Sequence, residues 1–241
     1  KEWDDRIVEK AKEYGLDWYP INYEVCDYYS MIGHMSYHGL PTHYDHWSYG
    51  KTFERTHQAY NAGVEGLPYE LIINSNPSIA YLMRENPLYL QILIMAHCIG
   101  HSDFFKNNRM FKNTRPESVI GRFRAAKKRI QGYIEDPYIG IDKVEPIIDA
   151  CHSLQFQILR DGTERKTHPE LVQYYKNLLE HDVQGNIVVI DLETPPLEPD
   201  PDIMGFISEH GKMPDWKRDI IEIVRDESYY FMPQIQTKIM N

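Results

Sequence analysis

Charged and apolar positions alternate with helical period from Trp3 to Tyr14, and Gly15 stops that run. Leu16 to Cys26 is aromatic and extended in character, is interrupted by Pro20, and predicts a short strand. Asp27 is placed to cap a helix reaching about His38, where Gly39 and Pro41 end it. A loop rich in histidine and aromatic residues follows from Leu40 to Gly50, then a helix from Thr52 to Ala62. Tyr69 to Ile73 reads as a compact strand closed by the turn-like Asn74-Ser75-Asn76-Pro77. Leu88 to Phe105 is apolar enough to predict a long buried helix, with Pro87 at its start. Arg115 to Ile134 predicts a basic amphipathic helix, and Ile141 to Leu159 another. Residues 160–170 are polar and loose in character, Ile187 to Leu192 is a short apolar strand, and the proline-rich Thr194 to Asp202 reads as a linker or arm. A last helix runs from Trp216 to Met232 and breaks at Pro233. The sum is an α+β fold, mostly helical with a few short strands, expected as one domain over 1–241 with 160–241 as a looser C-terminal lobe.

Composition narrows the classes. A chain of 241 residues can bury a core without staples. A formal charge of −10 with no long Lys/Arg cluster argues against nucleic acid as a partner. The longest apolar runs, such as Leu90 to Ala96, are too short to span a bilayer. No basic-then-apolar leader stands at the start, and three cysteines (Cys26, Cys98, Cys151) make no disulfide framework, so a reducing, cytoplasmic location is expected. The 18 tyrosines suit the walls of a cleft for a small-molecule or peptide-like substrate, although amphipathic core packing explains any one of them as well.

The candidate chemistry centres on Ala96-His97-Cys98-Ile99-Gly100-His101. Histidines at i and i+4 share one helix face, and two imidazoles so presented are half of a divalent-metal site. The motif His-Glu-x-x-His of zinc hydrolases carries its general base beside the first ligand; here that position is Cys98, so the usual base is missing. The plainer account is a pair of histidines satisfied by core hydrogen bonds. A second group is His34, His38, His43 and His46, of which the loop pair stands among Tyr44, Trp47 and Tyr49 and suits a pocket. A third is Glu145, Asp149 and His152, at i, i+4 and i+7 on one face, either orienting a metal ligand, supplying one, or simply solvated. Glu24, flanked by Tyr23 and Val25, is placed for a general base or for a strand-edge charge. Asn74 and Asn76 either hydrogen-bond a substrate or build their turn. There is no glycine-rich phosphate loop and no Gly-x-Ser-x-Gly elbow.

Several long stretches, in order and over nearly the whole chain, resemble the stage V sporulation protein R (SpoVR) family. They are Tyr23-Glu24-Val25-Cys26, Gly39 to Lys51, Ile72 to Pro77, Ala96 to Asn108, Ile148 to Leu154, and the tail Tyr230 to Asn241. The resemblance implies a bacterial-type cytoplasmic protein tied by name to the spore cortex, a peptidoglycan layer, although the family extends to organisms that form no spores. It also implies continuation past Ile239-Met240-Asn241 into Glu-Gly-Trp-Ala, which would put a third metal ligand just beyond the last residue, as in glutamate-type zinc peptidases.

The expected function is that of a metal-dependent hydrolase acting on an amide or peptide bond, with a peptidoglycan-derived molecule as the substrate the resemblance implies. In this reading the core is zinc-peptidase-like around the His-x-x-x-His helix. His97, His101 and His152 are the candidate ligands of zinc or a similar divalent ion; Glu24 or Glu145 replaces the missing base; His46 and Lys51 stabilise the oxyanion. His43, Trp47, Asn74, Asn76 and Lys106 contact substrate. The alternatives are a non-catalytic sporulation or stress factor that uses a degenerate peptidase fold for binding, and an iron-dependent oxidase using the same histidines.

Overall fold

The computed structural model describes residues 2–40, 42–159, 167–181 and 201–238. The predicted strand Ile187 to Leu192, residues 160–166 and most of the proline-rich arm lie outside them. Helix α1 (Glu2–Glu13) leads into strand β1 (Ile21–Cys26), helices α2 (Tyr28–Ser36) and α3 (Trp47–Asn61), and strands β2 (Glu70–Ile73) and β3 (Ser78–Met83). Helices α4 (Leu88–Asn107), α5 (Val119–Glu135), α6 (Ile141–Leu154), α7 (His168–His181), α8 (Ile203–His210) and α9 (Asp215–Gln236) follow. The architecture is α+β, largely helical, with a three-stranded sheet in the order β1-β3-β2. No helix among the described residues is long and apolar enough to cross a membrane.

Local chemistry explains most boundaries. Asp27 caps α2 by accepting the Ser30 amide at 2.8 Å. That helix is closed by His38 (φ 53°) and Gly39 (φ 80°), and a side chain at Gly39 would also crowd Ile73 at 3.3 Å. Helix α3 starts five residues earlier than the pattern predicts, because the His46 ring does the capping, its Nδ1 accepting the Ser48 amide at 3.4 Å. The break expected at Pro233 is overturned: α9 runs on to Gln236, with Met232 and Pro233 buried in the core. Proline removes one backbone donor, and so near the helix end packing outweighs that loss.

Two elements show no clear signal in the sequence. Strand β3 is the centre of the sheet, parallel to β1 and antiparallel to β2. It is covered on both faces, so its residues Ser78-Ile79-Ala80-Tyr81-Leu82-Met83 lack the alternation that marks a half-exposed strand. Helix α7 begins within the stretch expected to be loose.

The register sorts side chains cleanly between the two faces of the sheet. Ala80 and Leu82 turn to α4 and pack on Ile94 and Cys98. Tyr81 and Met83 turn the other way, into a core with Met31, Val119, Phe123 and Tyr230. A third cluster joins Tyr44 and Tyr49 to α5, α6, α8 and α9 through Ile130, Ile148, Ile220 and Val224. Each such aliphatic side chain contributes roughly 1.5–3 kcal/mol on burial. Helix α4 is not buried all round: Leu88, Tyr89, Leu93 and Ala96 lie on an open side, because the sheet covers only the opposite one.

Candidate functional site

The α4 histidines converge. Their Nε2 atoms are 2.8 Å apart. The partner that completes the group is Glu70, at the first position of β2, whose Oε1 is 3.5 Å from His97 Nε2. One donor atom from each of Glu70, His97 and His101 lies within 4.8 Å of the others. Glu70 is in register with Leu82, so it shares the α4 face of the sheet. Phe105 stacks against the His101 ring with centroids 6.1 Å apart. The His97 side chain is 57 % exposed, leaving one side of the group open to solvent.

Two imidazoles and one carboxylate with an open side is the donor set of catalytic zinc sites, and of iron sites with two histidines and a carboxylate. Tetrahedral bonds of about 2.0–2.1 Å would set the two ring nitrogens about 3.3 Å apart, half an ångström wider than here and within reach of a small side-chain rotation. Cys98 takes no part. It is fully buried against the sheet, and burial, with the nearby Glu70 charge, pushes its thiol up to about 12.

The other predicted residues fall in different places. Glu24 is exposed on β1 and in register with Tyr81, which stacks on His34 at 3.9 Å between centroids. It therefore occupies the sheet face opposite the Glu70 group. Lys106 pairs with Asp17, and Asn107 bonds the Asp17 carbonyl at 2.8 Å, so this end of α4 clamps the segment before β1. Asn74 is fully buried, donates to Thr114 Oγ1 at 2.9 Å and accepts the Tyr230 hydroxyl on its carbonyl at 3.1 Å. The Asn76 amide donates to the Pro116 carbonyl at 3.0 Å. Lys51 is exposed and lies over the Trp47 ring at 5.6 Å.

A second constellation brings together His43, His46, Trp47 and His152, far apart in sequence. The His152 Nε2 and the Tyr44 hydroxyl share a hydrogen bond at 2.7 Å, so this histidine stands with the loop histidines and not with His97 and His101. Burial pushes its pKa down to about 4, with His46 and His43 adding to the effect. The pKa of His46 is also lowered, by burial, against the opposing pull of Asp149 and Glu145. Its Nε2 is 3.3 Å from Asp149 Oδ1 without a formed hydrogen bond, while Trp47 Nε1 donates to that same oxygen at 3.0 Å. His43 Nε2 faces Glu227 Oε2 at 3.3 Å and the Tyr49 hydroxyl at 3.4 Å. Both tyrosines have raised pKa values through burial and the nearby Glu227. Glu227 Oε1 is buried without a hydrogen-bond partner, a cost of roughly 1–3 kcal/mol unless something donates to it. Of these groups His43, Tyr49, His152 and Glu227 border a cavity of about 710 Å³ whose apolar wall includes Met35, Leu71, Phe156, Phe231 and Met232.

Glu70 and Glu227 were absent from the sequence reading, although each leaves a trace. Glu70 is a lone charge opening the apolar run Leu71-Ile72-Ile73. Glu227 falls at helical spacing among Ile220, Ile223, Val224 and Tyr230, the buried stripe of α9.

Comparison with known proteins adds kinship without a reaction. Residues 1–241 match the family model described as SpoVR like protein. The chain is 37% identical over 255 residues to the uncharacterized protein YcgB of Escherichia coli (strain K12), covering 98% of this chain and 49% of that protein. It thus spans about half the length of that curated relative. No solved structure matches.

Proposed function

The chain belongs to the SpoVR family, which fits a sporulation-related protein, and on that premise we propose that Glu70, His97 and His101 hold a divalent metal ion for hydrolysis of an amide or peptide bond. The observation that carries this reading is the convergence of two imidazole nitrogens and one carboxylate oxygen within 4.8 Å. Zinc or a similar ion there supplies Lewis acidity and lowers the pKa of a bound water towards about 7. The chain's own part is to fix the ligands: α4 sets the two rings one turn apart, and the sheet register aims Glu70 at them. The exposed side next to His97 admits a peptide-like substrate, and the family's tie to sporulation points to a cell-wall peptide.

A second reading, metal-dependent binding without turnover, is favoured by the burial of Cys98 at the position where zinc hydrolases place their base. Elemental analysis after zinc loading and dialysis tests both. The expected result is one ion per chain, absent from the His97→Ala, His101→Ala double variant. A metal-free wild-type chain would overturn both readings. Amine release from a cell-wall-type peptide amide, lost on zinc removal and in Glu70→Gln, supports hydrolysis. A loaded protein that releases none leaves binding alone.

A further inference from the structure

The structure assigns a second ligand site to the cavity between α2, α3, α6 and α9, and the chemistry of its wall selects a small organic amine. This site does not rest on the metal reading. The two places lie back to back across the sheet: Glu70 faces α4, while its neighbour Leu71 faces the cavity.

Three observations converge on the ligand class. The volume of about 710 Å³ falls within the usual span for small-molecule sites, roughly 300–1,000 Å³. The apolar wall of Met35, Leu71, Phe156, Phe231 and Met232 fits a hydrocarbon or aromatic body. The polar wall carries one carboxylate, Glu227. Glu227, more than nine-tenths buried, lines the cavity, and its Oε1 has no hydrogen-bond partner among the described residues. Beside it, His38 and His152 are held towards their neutral forms by burial, so they repel a cation far less than imidazolium would. Tyr49 and Phe231 present aromatic rings to the same space, which favours an ammonium group. Lys238 also lines the cavity but is exposed to solvent, so an anionic ligand would meet the Glu227 carboxylate with no buried cation opposite, and an uncharged one would forgo the charge-assisted bond.

The test uses the full chain and three probes of similar shape, namely phenethylamine, 2-phenylethanol and 3-phenylpropanoate, titrated by calorimetry at pH 7.5. The expected order is amine first, by about tenfold or more over the alcohol, with the carboxylate weakest. Glu227→Gln should weaken the amine by about tenfold and leave the alcohol within about threefold. Amine binding should persist in the His97→Ala, His101→Ala variant, which separates this site from the metal group. The proposal is overturned if alcohol or carboxylate matches the amine, if no probe saturates at millimolar concentration, or if Glu227→Gln leaves amine affinity unchanged. Should that variant not fold, the ranking of the three probes on the unmodified chain decides alone.

Discussion

The Glu70 group and the Glu227 cavity use the same residue types, histidine and glutamate, in opposite settings. On the α4 side the donors touch one another and open to water; behind the sheet they are spread around a partly open void. A metal ion needs donor atoms converging on a point about 2 Å from each, and only the first arrangement offers that. An organic ligand needs volume, an apolar wall and one or two unsatisfied polar atoms, which only the second offers. Burial pushes His38 and His152 in the cavity wall towards the neutral form, and His152 reaches about 4.

The sharpest way to break this contrast is the pair substitution His97→Ala, His101→Ala. Zinc affinity should fall by more than about 100-fold, while the urea midpoint of the metal-free chain stays almost unchanged, since the ring of His97 is mostly in solvent. A large loss of metal-free stability would mean that the histidines serve packing instead. On the other side, His43→Ala removes a fully buried ring between Glu227 and Tyr49 and should cost roughly 3 kcal/mol or more in urea unfolding, with zinc stoichiometry unaltered.

Acid should act on the cavity next. His152 titrates near 4 when folded and near 6.5 when unfolded, so between those values the unfolded chain binds more protons. Its neutral-state stability is therefore fully present above pH 6.5 and is lost as pH falls towards 4, on the order of 3 kcal/mol. The slope of stability against pH over that window should be shallower in His152→Gln; an identical slope would remove this histidine from the account. Cys98→Ala should cost about 1 kcal/mol through lost packing and leave zinc stoichiometry intact, whereas a drop in bound zinc would make the thiol a ligand after all. The smallest effect belongs to Glu24→Gln, within about 0.5 kcal/mol in stability and without change in metal content, because that carboxylate lies across the sheet from the metal group.

Legibility followed the range of the interactions. The helices around Asp27, the histidine pair and the amphipathic α5 and α6 were readable because caps and 3.6-residue periodicity act within a few residues. Strand β3 was not, since full burial erases alternation, and the His46 cap was not, since an imidazole is an uncommon helix cap. Of the site, the spacing placed His97 and His101 together, and the aromatic setting pointed to His43, which lines the cavity, and to His46, which is buried beside Asp149 instead. Spacing gave no way to see that His152 and Glu24 stand apart from the α4 pair, because the first depends on how α6 docks and the second on strand register.

By itself the amino-acid order determined family kinship, helical character and the stacking of two imidazoles one turn apart, all consequences of contacts between near neighbours along the chain. Tertiary structure alone chose Glu70 as their partner and enclosed Glu227 opposite His43, because the pairing of strands and the docking of α9 join residues that no local periodicity relates.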